Sequence, residues 1–263
     1  MPKYNRVTRN PSVWTSQNFL TSSSIINRIV KLSGLRRKDY VVEIGPGKGH
    51  ITDKLIARCG RVTAIEIDRS LYDRLTAKYK GRQNVRLICC DFLCWHLPKT
   101  PFKVFANIPF NRTTDIVRKL TMSLNPPEEA WLVMEKGAAK RFMGKPRETK
   151  AALLIKPFFE SEIRYYFRRE DFHPAPSVNA VLLHLKKKAE PDIPRRQYQA
   201  YRRFITQCWA RPNGLYSVLT KKQIRTALKR AGLSWDIPPG EMLYVQWLCL
   251  FRCYVKYGKQ RRG

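Results

Sequence analysis

Acidic residues are scarce in this sequence. It has 20 Asp and Glu against 51 Lys and Arg, a formal net charge of +31 at pH 7 over 263 residues. Solubility does not require an excess of this size, which indicates a polyanionic partner: nucleic acid first, and an anionic membrane surface second. Aromatic residues stand among the cations at 165–169 and 198–204, a mixture that suits phosphate contact combined with base stacking.

Long hydrophobic runs are missing as well. No run of roughly 18 apolar residues could cross a bilayer, and the polar, charged N-terminus has no apolar stretch suited to secretion. We therefore expect a cytosolic protein without a membrane partner. Hydrophobic residues still make up 43% of the chain, which is enough to bury one large domain plus a smaller one, or two modest domains.

The cysteines form no metal-ligand or disulfide pattern. There are seven of them, an odd number, and several lie in apolar runs where a thiol serves as a small hydrophobic side chain. Neither Cys90 with Cys94 nor Cys249 with Cys253 has a histidine at zinc-ligand spacing beside it. We expect reduced cysteines and no bound metal.

Strand-like and helix-like segments alternate along the first two thirds of the chain. This alternation predicts an α/β fold with a parallel sheet covered by helices on both faces, where ligands bind at the carboxyl ends of the strands. The first helix is predicted near 25–32. Buried strands are predicted at 40–44, 61–67, 85–89, 103–106 and 130–134, and further helices at 51–59, 71–79, 114–124 and 136–143.

The later part of the chain changes character. Two strands predicted at 163–167 and 178–185 are joined by a link too short for a crossover helix, so we expect them to pair antiparallel at one edge of the sheet. Linker composition at 186–194 then precedes patterns of helices alone, at 198–209, 220–231 and 241–257. We predict three parts: a flexible basic arm at 1–15, a ligand-binding domain at 16–186 and a helical domain at 187–263.

A glycine-rich loop follows the first predicted strand. Gly45, Gly47 and Gly49 have a G-x-G-x-G spacing. A dinucleotide fingerprint would need its third glycine where His50 stands, and a P-loop would need its first glycine where Val42 stands. What remains is a backbone that a ligand can approach closely, at a helix N-terminus that favours a carboxylate.

Two acidic residues end the next two strands. Glu66 lies 21 positions after Gly45, and a carboxylate at about that offset can accept both hydroxyls of a ribose. Asp91 can accept a hydrogen bond from an adenine amino group, beside an apolar wall formed by Ile67 and Phe92. Together with the glycine loop, these acids predict an adenosine-type cofactor that carries no pyrophosphate, and S-adenosylmethionine fits best.

The end of the fourth predicted strand carries a family resemblance. Asn107, Ile108, Pro109 and Phe110 resemble the Asn-(Ile/Leu)-Pro-(Tyr/Phe) motif of amino-methylating enzymes. Over about residues 16 to 185 the chain also resembles ribosomal RNA adenine dimethyltransferases, through the stretches QNFL at 17–20, EIGPGKG at 43–49, EID at 66–68 and FHPAPSV at 172–178. Two more stretches are more similar to the Erm branch of that superfamily: VMEKGAAKRF at 133–142 and LTKKQ at 219–223.

The resemblance implies a fold and an activity. The fold is a Rossmann-like, seven-stranded class I methyltransferase domain with a small C-terminal all-helical domain that binds RNA. Erm enzymes dimethylate one adenine of 23S ribosomal RNA and confer resistance to macrolides, lincosamides and streptogramin B. The expected substrate is naked or partly assembled large-subunit RNA, methylated at N6 once or twice from S-adenosylmethionine, by a monomer. The resemblance also makes Asn18, Leu20 and Asn107 cofactor contacts.

The motif has a physical rationale of its own. The adenine amino group is a poor nucleophile because its lone pair is delocalised into the ring. The Asn107 side-chain oxygen and the Ile108 carbonyl can hold its hydrogens, with Pro109 setting the turn, so that the lone pair faces the methyl group. We predict that Phe110 stacks on the flipped base and that Phe172 covers its other face. An ordinary turn with a core aromatic is the competing interpretation.

Three alternatives remain open. The same chemistry can act on small-subunit ribosomal RNA, and a noncatalytic RNA-binding factor can keep the fold and the charge. DNA adenine methylation is disfavoured, because those enzymes commonly carry two prolines where Ile108 and Pro109 stand. Charge reversal at Arg168 and Arg169, which we assign to RNA binding, should weaken that binding in a salt-dependent way.

Overall fold

The structure, a computed structural model, describes residues 18–257. The predicted basic arm at 1–15 lies outside the described residues. The strands are β1 Phe19–Leu20, β2 Tyr40–Ile44, β3 Arg61–Glu66, β4 Val85–Cys89, β5 Lys103–Asn107, β6 Glu129–Glu135, β7 Phe159–Tyr166, β8 Phe172–His173 and β9 Ala180–Lys187. The helices are α1 Ser23–Leu32, α2 His50–Arg58, α3 Arg69–Lys78, α4 Thr113–Met122, α5 Lys136–Met143, α6 Lys150–Ile155, α7 Tyr198–Trp209, α8 Lys221–Arg230 and α9 Tyr244–Tyr257.

Seven strands form one mixed sheet in the order β4-β3-β2-β5-β6-β9-β7. The first five strands of this order are parallel to one another. Strand β9 is antiparallel to both β6 and β7. The predicted α/β fold with a seven-stranded, Rossmann-like sheet is confirmed, as is the antiparallel pairing of the last two strands. The edge itself is formed by β7, while β9 lies inside the sheet.

Helices bury both faces of the parallel strands. In β2, Val41 packs into the hydrophobic cluster beneath α1 and α2, while Val42 packs into the cluster beneath α4 on the other face. Phe105 and Val104 of β5 divide between the two faces in the same way. Because successive side chains of a strand point to opposite faces, a strand buried on both faces is apolar at most positions, Glu43 being the exception within β2. This explains the continuous apolar runs in the sequence.

The three helices after β9 extend one of these clusters. Tyr201 and Phe204 of α7 are fully buried against Trp247 and Phe251 of α9. The Tyr201 hydroxyl donates a hydrogen bond of 2.8 Å to the carbonyl of Leu153 in α6. The segment beyond β9 is helical, as predicted, and its core is continuous with the sheet. The division into two domains near residue 187 stays a prediction.

Two features have no counterpart in the predicted elements. β1 and β8 form a separate two-stranded antiparallel ladder in which Leu20 pairs with Phe172. Helix α6 is capped by Thr149, whose hydroxyl accepts from the amide of Ala152. Strands of two residues are too short to show a period of two, so the sequence pattern gives no signal for them. No helix within residues 18–257 is long and apolar enough to cross a membrane.

Candidate active site at the carboxyl ends of the strands

A pocket opens where the carboxyl ends of β2, β3 and β5 meet the loop after β4. It encloses about 780 Å³ of empty space including its opening to solvent. Its walls are Asn18, Phe19, Ile44, Gly45, Ile65, Glu66, Ile67, Cys90, Asp91, Phe92, Leu93, Asn107, Ile108, Pro109, Phe110, Arg112 and Ile116. The structure therefore brings together most of the site residues predicted from the sequence.

The glycine loop depends on backbone conformations that other residues rarely adopt. Gly45, Gly47 and Gly49 have φ angles of +67°, +59° and +82°. A Cβ on Gly47 would stand 2.7 Å from the ring of Phe19, so the missing side chain lets that ring close over the loop. Gly45 lines the pocket, whereas Gly47 shapes the loop behind it and Gly49 caps the N-terminus of α2.

Glu66 is the most constrained side chain of the site. It is 1% exposed, and its carboxylate accepts backbone hydrogen bonds from Gly47 at 3.0 Å and from Ile67 and Asp68 at 2.9 Å. Burial raises the pKa of Glu66, while these three amides act in the opposite direction by stabilising the ionised form. Two carboxylate oxygens have about four acceptor positions, so capacity remains for a ligand hydroxyl.

Asp91 carries a partner that the sequence analysis missed. One carboxylate oxygen accepts from the amide of Leu93 at 2.8 Å, and the other lies 3.3 Å from the guanidinium of Arg112. Arg112 follows the motif at the end of β5 and lines the same pocket. Both side chains are about one third exposed, so the pair adds little stability. Its effect is to orient the carboxylate and to offset its charge.

Lys119 of α4 fixes the apolar wall of the pocket from behind. Its ammonium donates hydrogen bonds to the carbonyls of Phe92 at 2.7 Å and Leu93 at 2.9 Å, and to the carbonyl of Trp95. Burial lowers the pKa of Lys119. One cation thus satisfies three carbonyls of the loop after β4 and holds the nearly buried Phe92 in place.

Asn107 is oriented by a residue far away in the sequence. Its side-chain nitrogen donates to the carbonyl of Asn18 at 2.9 Å, which leaves the amide oxygen as the end that a ligand amino group can approach. The Ile108 amide donates to the carbonyl of Val133 in β6 at 3.0 Å. Pro109, with φ of −57°, then starts the short 3-10 turn Phe110–Arg112. The motif is thereby held as a rigid extension of β5.

Leu20 and Phe172, both predicted as site residues, lie in the core and not in the pocket. Leu20 and Phe172 are only 3% and 4% exposed, and the Phe172 ring packs edge-on against Phe167 with its centre 5.4 Å away. Neither lines the pocket. Phe172 is therefore not placed to cover the second face of a base, because the β1–β8 ladder buries it against Leu20. The aromatic ring of this ladder that does line the pocket is that of Phe19.

The two arginines assigned to RNA lie away from the pocket. Arg168 is exposed and within 3.3 Å of Glu170, and Arg169 donates to the carbonyl of Pro176 at 2.8 Å. Their role in RNA binding stays a prediction. Within residues 18–257 no group of three or more His, Cys, Asp or Glu side chains is arranged to hold a metal ion.

Glu43 is a second buried acid, beneath the glycine loop. It lies in β2 and is 1% exposed, with Thr52 and Glu66 close by. One of its carboxyl oxygens has no hydrogen-bond partner among the described residues. Burial raises the pKa of Glu43 to about 8, so this side chain is protonated at neutral pH and adds no second negative charge beside Glu66.

Sequence comparisons match the chain to one protein family and to several of its members. A family model described as "Ribosomal RNA adenine dimethylase" matches residues 13–235. An rRNA adenine N-6-methyltransferase of Limosilactobacillus reuteri is 35% identical over 245 residues, which cover 93% of this chain and 97% of that protein. Another, from Lysinibacillus sphaericus, is 35% identical over 241 residues, with coverage of 91% and 95%.

Solved structures give a consistent result. The crystal structure of the 23S rRNA methyltransferase ErmE superposes with a TM-score of 0.79 at 28% identity, covering 90% of this chain and all of that one. A dimethyladenosine transferase from Plasmodium falciparum superposes with a TM-score of 0.74 at 19% identity, covering 90% and 97%. At that lower identity the likeness establishes the fold alone.

We predict that Glu66→Gln weakens binding of S-adenosylhomocysteine, the demethylated cofactor, by roughly 10- to 100-fold. A glutamine offers one acceptor oxygen instead of two, so one end of its side chain can no longer accept amide or ribose hydrogens, a loss of about 1.5–3 kcal/mol for charged acceptors. Calorimetric titration measures the change. The exposed Glu128→Gln variant is the control, and equal affinities for both variants would contradict the assignment.

A second prediction concerns the pH dependence of stability. The unfolded chain releases the Glu43 proton near pH 4.5 and the folded chain only near pH 8, so the free energy of unfolding falls as pH rises through that window. Glu43→Gln has no proton to release. The free energy of unfolding of the variant, relative to that of the wild type, should therefore increase between about pH 5 and pH 8. Urea unfolding at a series of pH values measures it. A profile parallel to that of the exposed Glu190→Gln control would disprove this.

Proposed function

The chain belongs to the ribosomal RNA adenine dimethylase family, and we propose that its target is one adenine of 23S ribosomal RNA in naked or partly assembled large-subunit RNA. The reaction is methylation of the exocyclic N6 amino group of an adenine in ribosomal RNA, with S-adenosylmethionine as the donor. The observation that carries the proposal is the Asn107 amide, oriented by Asn18 beside the Glu66 and Asp91 carboxylates.

The large-subunit assignment has two supports. The likeness to ErmE extends over the whole of that 23S rRNA methyltransferase, and the stretches at 133–142 and 219–223 resemble the Erm branch. By the same resemblance, we propose that the modification confers resistance to macrolides, lincosamides and streptogramin B. We further propose that the enzyme acts as a cytoplasmic monomer, in the compartment where ribosomal RNA is assembled.

The pocket fits the donor through groups already fixed in place. We assign one ribose hydroxyl to the acceptor position that the three amides leave open on Glu66. We assign the adenine amino group to Asp91, between the apolar side chains of Ile67 and Phe92. Asn18 and Gly45 border the same space. When bound, S-adenosylmethionine supplies a methyl group activated by its sulfonium. The chain's own contribution is a preformed site, because hydrogen bonds within the protein already hold both carboxylates.

The end of β5 is assigned to the target base. The Asn107 oxygen and the Ile108 carbonyl accept the two amino hydrogens, which localises the nitrogen lone pair and directs it toward the methyl group. Phe110 lines the pocket and stacks on the base once it has left its helix or loop. Positioning provides most of the acceleration in this scheme, and the proton released by the amine passes to water.

The remaining site residues are assigned to RNA. We propose that the C-terminal domain predicted at 187–263 and the exposed Arg168 and Arg169 bind the RNA surrounding the target adenine. The net charge of +31 supports this assignment, because phosphate neutralisation dominates the affinity of proteins for nucleic acid.

The test of the substrate is methyl transfer to purified RNA. We expect the protein to transfer labelled methyl groups to naked 23S ribosomal RNA and not to naked small-subunit RNA, with N6-methylated adenosine as the product by mass spectrometry. One or two methyl groups per target adenine are distinguished by the mass of the same nucleoside. Transfer to small-subunit RNA alone would assign the protein to the housekeeping reaction, and transfer to neither would support a noncatalytic RNA-binding role.

The test of the site is Asn107→Ala. Loss of an oriented hydrogen-bond acceptor should lower kcat by roughly 10²- to 10³-fold, the range measured for removal of one positioned group in other active sites. Affinity for S-adenosylhomocysteine should change only a few-fold. Asn27→Ala, at an exposed position of α1, is the matched control. Unchanged turnover in Asn107→Ala would refute the assigned role.

A further inference from the structure

Helix α8 carries an unusual charge pattern. Half of its ten residues are cationic and none is acidic, the cations being Lys221, Lys222, Arg225, Lys229 and Arg230. All five are exposed, while Ile224 and Leu228 are buried in the core. Among the ion pairs formed within residues 18–257, none includes a side chain of this helix. The outward face of α8 is therefore a continuous positive surface without internal compensation.

These charges destabilise α8 itself. Lys221 and Lys222 occupy the first turn, where the helix dipole disfavours positive charge. Arg225 is four residues from both Lys221 and Lys229, and like charges at that spacing repel each other on a helix surface. Folding stability does not account for such a choice. Residues that break local preferences in a folded domain are expected where function requires them.

Other interactions keep α8 folded despite these charges. Thr220 and Gln223 form a reciprocal capping box at its N-terminus. The Gln223 side chain also donates to the carbonyl of Tyr257 in α9 at 3.1 Å. Since the cap and the buried face anchor the helix, its cationic side chains are free to serve a ligand.

Aromatic rings stand among the cations on this surface. The guanidinium of Arg225 lies 4.2 Å from the ring centre of Trp235, which is 39% exposed. Beside them, Arg225, Thr226, Lys229 and Arg230 line a shallow groove. Cations that neutralise phosphates, next to a ring that can stack on a base, are the combination found where proteins bind single-stranded or looped RNA.

We propose that the outward face of α8, together with Trp235, is a docking surface for RNA. The inference rests on the proposed function and deepens it by assigning RNA binding to one face of one helix and a neighbouring ring. The occupant is a polyanion, because the surface offers positive charge without carboxylates of its own helix. RNA is favoured over a charged lipid surface because Ile224 and Leu228 of α8 are buried in the core, so the helix has no apolar face to insert into a bilayer. This surface sets affinity and its salt dependence, while the residues at the end of β5 set the rate of methyl transfer.

The experiment compares two triple variants with equal loss of charge. The first replaces Lys221, Lys222 and Lys229 by Gln and leaves Arg225 stacked on Trp235. The control replaces three exposed cations at the opposite, amino end of the sheet before β2: Arg36, Arg37 and Lys38, each by Gln. For each protein, the affinity for naked 23S ribosomal RNA is measured over a range of KCl concentrations, along with S-adenosylhomocysteine binding and the thermal unfolding temperature.

The α8 variant should bind RNA roughly tenfold or more weakly than the wild type, with the slope of log affinity against log salt reduced by about 2. Its unfolding temperature should be equal to or above that of the wild type, because repulsion within the helix is relieved. The control variant should bind RNA nearly as the wild type does. In a separate arm, Trp235→Ala should weaken binding without changing the salt slope, since base stacking neutralises no phosphate.

Equal losses in the two triple variants would overturn the proposal. So would unchanged RNA binding by the α8 variant combined with weaker binding to phosphatidylserine vesicles, which would make lipid the ligand. The proposed function is tested independently by methyl transfer. If the wild type methylates 23S RNA and the α8 variant binds like the control, the docking surface is refuted and the function stands. If the wild type binds RNA through α8 but methylates neither RNA, the surface stands and the function fails.

Discussion

The site depends on a carboxylate that the backbone holds in place. Glu66 ends β3 with almost no solvent contact, and it receives amide hydrogen bonds from Gly47 in the glycine loop and from Ile67 and Asp68 at the start of the next loop. These bonds join the ends of two adjacent strands around one charge. A buried carboxyl group must be satisfied by partners, so the loop conformation and the position of the Glu66 side chain depend on each other. Protonated Glu43 completes this arrangement, because it leaves Glu66 without a charged neighbour in β2.

A second connection brings the methyl-transfer motif into register with the cofactor side of the pocket. Asn107 donates to the Asn18 carbonyl, and Asn18 directly precedes the short β1–β8 ladder. That ladder buries Leu20 and Phe172 in the core and leaves Phe19 against the glycine loop. A small structural element thus orients the amide to which we assign the target base. The bond joins the Asn107 side-chain nitrogen to a backbone carbonyl, which leaves the Asn107 oxygen available to a substrate.

The cations near the pocket and those on α8 differ in their partners. Arg112 in the pocket is paired with Asp91, and Lys119 behind the pocket wall is bonded to loop carbonyls. On α8, by contrast, the cations are exposed and unmatched within their own helix. The pocket cations are thus paired within the described part of the protein, whereas those on the α8 surface that we propose for RNA are not. The two can be altered independently, since they lie on different elements and on opposite sides of β9 in the sequence.

Short-range patterns in the sequence predicted most of the fold and several residues of the pocket. Apolar runs and helical periods located the sheet strands and most helices, because burial on two faces or on one stripe leaves a local signature. Glycine spacing and acids at strand ends identified Gly45, Glu66 and Asp91, since parallel strands bring their carboxyl ends to one edge. The contacts of Arg112 with Asp91, of Lys119 with Phe92 and of Asn107 with Asn18 join residues 21, 27 and 89 positions apart. No local period in the sequence predicts contacts between residues so far apart. Strands as short as β1 and β8 show no period at all. Packing in three dimensions therefore assigned Phe172 to the core, Phe19 to the pocket and a buried environment to Glu43.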